Sequence, residues 1–163
     1  RAYKQLEHQL QPFANQKHKN KNIKLIVAGE FYSDEKNYQS LIDELEIREQ
    51  VILRTDFIPD SEVNKYFSAA DIVAQPYKTA TQSGVTQIAY HFEKPMLVTN
   101  VGGLAEIVPH QKVGYVVNPD AEEIAEALID YFETDRMEQF EKNMAEEKKK
   151  YLWSNLTKAI SQL

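Results

Sequence analysis

Residues 80 to 86 read ATQSGVT, and Gln82, Ser83, Gly84 and Val85 at their centre have the makeup of an anion-binding turn. Ser83 can cap a following helix by accepting a hydrogen bond from a backbone N–H, and Gly84 lets the backbone approach a ligand without a side chain in the way. N–H groups left free at Gly84, Val85 and Thr86 would then aim the positive end of the helix dipole at a phosphate. The same four residues also read as a plain helix cap beside a turn. A second pair, Gly102 and Gly103 in VTNVGGLAEIV, either makes a tight turn into a short helix or leaves room and backbone donors beside a bound sugar. Glu106 follows as an acid in that helix's first turn.

Other chemistries find little support. The dinucleotide fingerprint GxGxxG is missing, because Gly29 is followed by EFYSDEK and the chain holds five glycines in all, which argues against an NAD-type oxidoreductase. A phospho-acceptor domain needs acids gathered at strand ends, and Asp56 and Asp71 do not make that set, since Asp71 precedes its strand. No histidine has a companion at metal-ligand spacing, and His91 reads as a packed helical residue. With no cysteine, neither a disulfide framework nor a thiolate metal site can form, and a reducing compartment fits best.

The elements around these residues follow from apolar patterning. Five short runs rich in Val, Ile and Leu lie at 23–29, 51–54, 71–77, 95–99 and 114–117, mostly unalternated, as in strands buried on both faces of a parallel sheet. Helical patterns separate them at 34–47, 61–70, 83–93 and 121–133, so the chain is expected to be an open, doubly wound α/β sheet with helices on both faces. After 133 come a charged amphipathic helix carrying Met137, Phe140 and Met144, and a last helix with Trp153, Leu156 and Ile160 on one face. In such sheets ligands sit at the carboxyl ends of the strands. That directs attention to the loops 29–34, 55–60, 75–83 and 100–103.

At 163 residues, 42% apolar and 27% charged, the chain fits one globular unit spanning 1–163. Its net charge of −6 is poor for nucleic acid, and the lysines at 148–150 face Glu146 and Glu147. No apolar run reaches the roughly 20 residues a membrane span needs, and no signal-peptide pattern opens the chain. The opening RAYKQLEHQLQPF places Leu6, Leu10 and Phe13 at helical spacing with no start signal before it, as expected of a piece of a larger protein.

The ordered segments FIPDSEV, YFSAADIVAQPY, ATQSGV, EKPMLVTNVGGLAEIV, VGYVVNPDAEEIAEALIDYF and YLWS, with IKLIVAGEF ahead of them, resemble the donor-binding domain of GT-B glycosyltransferases of family 4, also called group 1. That resemblance implies a Rossmann-like domain without its first strand and without the amino-terminal acceptor domain. It implies a retaining transferase that moves a sugar, typically a hexose, from a nucleotide-diphosphate donor to a glycan or lipid-linked acceptor in polysaccharide biosynthesis. It further implies no metal, no cofactor beyond the nucleotide-sugar substrate, and a cytoplasmic parent with peripheral membrane contact. By position, Gln82, Ser83, Gly84 and Val85 would hold the donor diphosphate. Phe57, Ile58 and Pro59 would meet the base, Gly29 would border the cleft, and Thr81, Gly102, Gly103 and Glu106 would lie on the sugar side. Two family glutamates, one for sugar and one for ribose, are replaced here by Ala80 and Ile88, and Glu93 stands where glycine is usual. Those departures leave a second expectation, a non-catalytic module of the same fold used for protein association. A sugar-nucleotide epimerase of similar architecture fits the loops less well.

Overall fold

The structure, a computed structural model, describes residues 6–14, 22–29 and 35–151. The chain begins in helix α1 (Leu6–Ala14) and then runs through β1 (Leu25–Ala28), α2 (Glu35–Glu44), β2 (Val51–Arg54) and α3 (Asp60–Ala69). It continues through β3 (Val73–Gln75), α4 (Gly84–His91), β4 (Met96–Thr99), the short α5 (Leu104–Ile107) and β5 (Gly114–Val117). Helices α6 (Ala121–Glu133) and α7 (Met137–Glu147) follow, and a 3-10 turn at Lys148–Tyr151 closes the described part. Each expected strand and helix within this range is present, with bounds trimmed by a residue or a few at most ends. The expected last helix lies outside the described residues.

Every strand pairing among the described residues is parallel, and the helices between consecutive strands supply the crossover that parallel pairing requires. The strands nevertheless form two hydrogen-bonded sheets among the described residues, β1 with β2 and β3-β4-β5, where a single open sheet was expected. Side chains join what the backbone does not. Leu25, Val27, Val51 and Leu53 pack into the same core as Leu97, Tyr115, Ile124, Leu128, Tyr131 and Phe140, beneath α1, α2, α6 and α7. A second core lies on the other face, where Met96, Val98, Val113 and Met144 meet Ala89 and Tyr90 of α4 and Leu104 of α5.

The expectation that all strands are buried on both faces holds for β4 alone, whose four residues are all inaccessible. In β1 and β2 the exposure alternates, and Ile26 and Ile52, partners in the register, are 41% and 38% exposed. Helix α3 likewise buries none of its residues fully. His91, expected to pack, is the exposed last residue of α4.

One of the glutamates expected to face the lysine run also reaches a lysine beyond it. Glu147, at the end of α7, is 3% exposed and receives Lys112 at 2.7 Å and Lys150 from its own helix end. Burial pushes its carboxyl up, but the two ammonium groups outweigh that and hold it below the ordinary carboxylate range. Glu93 has a left-handed backbone, φ 55°, at the end of α4. Glycine is usual at such a position because its lack of Cβ removes the penalty. Here Lys148 pairs with the Glu93 carboxylate at 2.8 Å.

Candidate functional site

The loop from Pro76 to Ser83 leaves the carboxyl end of β3 and enters α4, and the fold fastens it at several points. Pro76 is buried. Thr99, the last residue of β4 and fully buried, donates its hydroxyl to the Tyr77 carbonyl. Tyr77 and Ala80 both pack on the second core. The Gly103 N–H donates to the Thr81 carbonyl at 3.1 Å. At Gly102, φ is 54° and a Cβ would stand 1.8 Å from the Ala80 carbonyl oxygen, so only glycine lets the two loops lie this close. The Gly102–Gly103 turn therefore clamps the polar loop, and the space beside Gly102 is filled by protein backbone. The Gly103 N–H, expected as a donor for a ligand, is spent on that clamp.

Ser83 caps α4 as expected, its Oγ accepting from Val85 N–H at 3.3 Å. The Thr86 hydroxyl, wholly buried, donates to the Ser83 carbonyl, and the Thr86 N–H points to the same oxygen at 3.3 Å. Of the three N–H groups expected to be free, the one at Gly84 is left without a partner among the described residues. A Cβ on Gly84 would meet nothing within 4 Å. Thr81 and Gln82 are exposed, so the rim of the turn is polar and open. The arrangement can receive an anion: a fixed helix start with one unspent N–H, no acidic residue in its first turn, and an open approach at Gly84.

The other predicted residues divide. Gly29 takes φ 131° and donates its N–H to the Arg54 carbonyl at 3.0 Å, so it ends β1 beside the end of β2. Phe57 is 69% exposed in the loop that follows β2, with Ile58 and Pro59 leading into α3. These four belong to the carboxyl ends of the two-stranded sheet, and among the described residues no hydrogen bond links them to the 76–84 loop. Glu106 is exposed on α5. Sequence reasoning missed Thr99 and Tyr77 as supports of the loop. The signal for Thr99 was there, a hydroxyl ending an otherwise apolar, fully buried strand, since a buried hydroxyl demands a partner. Among the described residues no group of three His, Asp or Glu is placed to hold a metal, and no helix is long and apolar enough to cross a membrane.

Comparison with known proteins adds independent findings. The family model for "Glycosyl transferases group 1" matches residues 1–151. An uncharacterized glycosyltransferase of Methanocaldococcus jannaschii is 31% identical over 144 residues, covering 84% of this chain and 35% of that protein. The structure of Anabaena HepE in complex with UDP superposes with a TM-score of 0.83 at 18% identity, over 100% of this chain and 46% of the other. The C-terminal domain of a group 1 family glycosyl transferase (LpcC) from Francisella tularensis superposes with a TM-score of 0.81 at 19% identity, over 94% of this chain and 82% of that domain. At such identities the two structures speak for the fold. The chain spans about a third of the length of the curated relative it matches.

Proposed function

The chain belongs to the group 1 glycosyl transferases, with their GT-B type α/β architecture, and from that premise we propose that it is the half of a two-domain enzyme that holds a nucleotide-diphosphate sugar. The observation that carries this reading is the clamped loop 76–83 ending in the open helix start at Gly84. HepE, of the same fold, has been seen with UDP and with UDP-glucose, which supports a nucleotide-sugar donor here as well.

In this reading the donor diphosphate lies against Gln82, Ser83, Gly84 and Val85 at the start of α4. Transfer joins an acceptor hydroxyl oxygen, which gives up its proton, to the anomeric carbon and breaks that carbon's bond to a diphosphate oxygen, so negative charge gathers on the departing group. A helix N-terminus already oriented toward that place stabilises the charge without reorganising, and the reaction as proposed needs no bound cation. The Gly29 and 57–59 segments border the base, and Thr81 and Gln82 face the sugar, where Ala80 and Ile88 offer no carboxylate. Retention of anomeric configuration, a hexosyl donor, a glycan or lipid-linked acceptor and a cytoplasmic setting at a membrane face complete the proposal. So does a further strand between β1 and β3, which share no neighbour among the described residues, together with an acceptor domain outside this chain. This chain by itself is then inactive.

Calorimetric titration of the protein with UDP, GDP and ADP and their sugar conjugates tests the reading. One of the three should bind, and Gly84→Val should abolish binding while leaving the circular dichroism unchanged. Binding that survives Gly84→Val removes the phosphate from this turn. Failure of all three leaves a module of the same fold without donor chemistry.

A further inference from the structure

Resting on the donor reading above, we propose that Lys78 is the side chain that pairs with the donor's diphosphate in this protein. The loops that follow β2, β3, β4 and β5, residues 55–59, 76–83, 100–103 and 118–120, contain two acids, Asp56 and Asp120, and a single cation, Lys78. Lys78 is exposed and forms no ion pair among the described residues, a state it shares with Arg54 at the end of β2 and Lys142 on α7, whereas the lysines at 65, 94, 112, 148, 149 and 150 pair with glutamates. In a chain of net charge −6, an unneutralised cation at the carboxyl edge of the sheet marks a place that attracts negative charge.

Its backbone is also held. Tyr77, one residue before, is fixed by the Thr99 hydroxyl, and Ala80, two residues after, is fixed against Gly102. Lys78 and Thr79 are the two residues between these clamps, with side chains free in solvent above a rigid base. Holding the backbone lowers the entropy lost when the ammonium engages a ligand. A diphosphate carries at least two negative charges and the helix start at Gly84 supplies only a partial positive charge, so a full cation on the adjoining loop complements it.

The test is titration of the protein as the cell makes it, wild type and with Lys78→Met and Lys78→Arg, against UDP, GDP and ADP and against uridine, guanosine and adenosine. Lys78→Met should weaken the bound diphosphate about tenfold to a hundredfold, the range of a charge-assisted hydrogen bond, and leave its nucleoside unchanged. Lys78→Arg should retain most of the affinity. If the wild type binds a nucleoside diphosphate and Lys78→Met binds it equally, the assignment of Lys78 is overturned and the donor reading stands. Equal weakening of nucleotide and nucleoside also overturns it, since the loop shape and not the charge would be responsible. A wild type that binds none of the diphosphates overturns the donor reading itself, and this inference with it.

Discussion

Replacing Gly102 with alanine puts a methyl group where the Ala80 carbonyl already lies. The new Cβ would be 1.8 Å from that oxygen and 2.7 Å from its carbon, so one of the two loops must move by more than an ångström. The backbone at 102 is also left-handed, φ 54°, which costs an L-residue about 1–2 kcal/mol. Displacing backbone in a packed region adds roughly 1–3 kcal/mol. Together the change should cost about 2–5 kcal/mol, or a fall in Tm of roughly 5–15 °C for a domain of this size. Urea titration followed by circular dichroism measures it, with Gly84→Val as the internal control, because that glycine has ordinary φ and open space around its Cβ position. Gly102→Ala should lose stability and nucleotide binding together, whereas Gly84→Val should lose binding alone. A Gly102→Ala protein within about 0.5 kcal/mol of wild type would falsify the clamp, since ordinary surface substitutions fall in that range.

Glu147→Gln should cost about 1–2 kcal/mol at neutral pH, the value of charged hydrogen bonds whose lysine ends remain half in water. The Glu147 pKa is depressed in the folded state, so this stability is present above the unfolded value near 4.5 and is lost as pH falls through the folded value. The gap between wild type and variant in denaturant titrations should therefore close below about pH 4; a gap independent of pH would assign it to packing. Gln75 is 1% exposed with its Oε1 unpartnered, so Gln75→Met, of similar shape, should raise stability by about 1 kcal/mol in the same titration. A loss would mean that the amide is satisfied by ordered water. Glu93→Gly should relieve the left-handed strain at the end of α4 and lose one half-exposed ion pair, for a net gain of about 0.5–1 kcal/mol in thermal unfolding; a clear loss would give the Lys148 contact more weight than its exposure allows.

The order of strands and helices was legible because each apolar run is bounded by polar or turn residues, and the capping role of Ser83 follows from its place before GVTQIAY. What escaped was whatever depends on contact across the chain. VGG reads as a turn with room in it, and only the approach of Ala80 shows that the room is filled. Ser-Gly-Val-Thr reads as three free N–H groups, yet Ser83 itself takes up two of them through its hydroxyl and its carbonyl. Glu147 in EEKKKY reads as a neighbour of the adjoining lysines alone, because nothing local reveals Lys112 arriving from the loop before β5. Gly114 reads as the start of a strand, while its φ of 153° and the Met96 carbonyl 1.8 Å from its Cβ position make it a packing requirement. The half-open faces of β1 and β2 were hidden because Ile26 and Ile52 are as apolar as the residues that are buried.

The parallel pairing of every strand also governs how the chain can acquire its shape. Leu25 must find Val51, Val73 must find Met96, and Met96 must find Gly114, each across an intervening helix, so no hairpin can form early to seed the sheet. Loop closure has to precede the contacts that reward it, which places this architecture among the slower small folds, in the range of milliseconds and longer. Because β1 and β2 share no hydrogen bond with β3, β4 and β5 among the described residues, the two groups have separate backbone ladders. Amide protons of the first pair should exchange sooner than those of β4, which is enclosed on both faces and both edges.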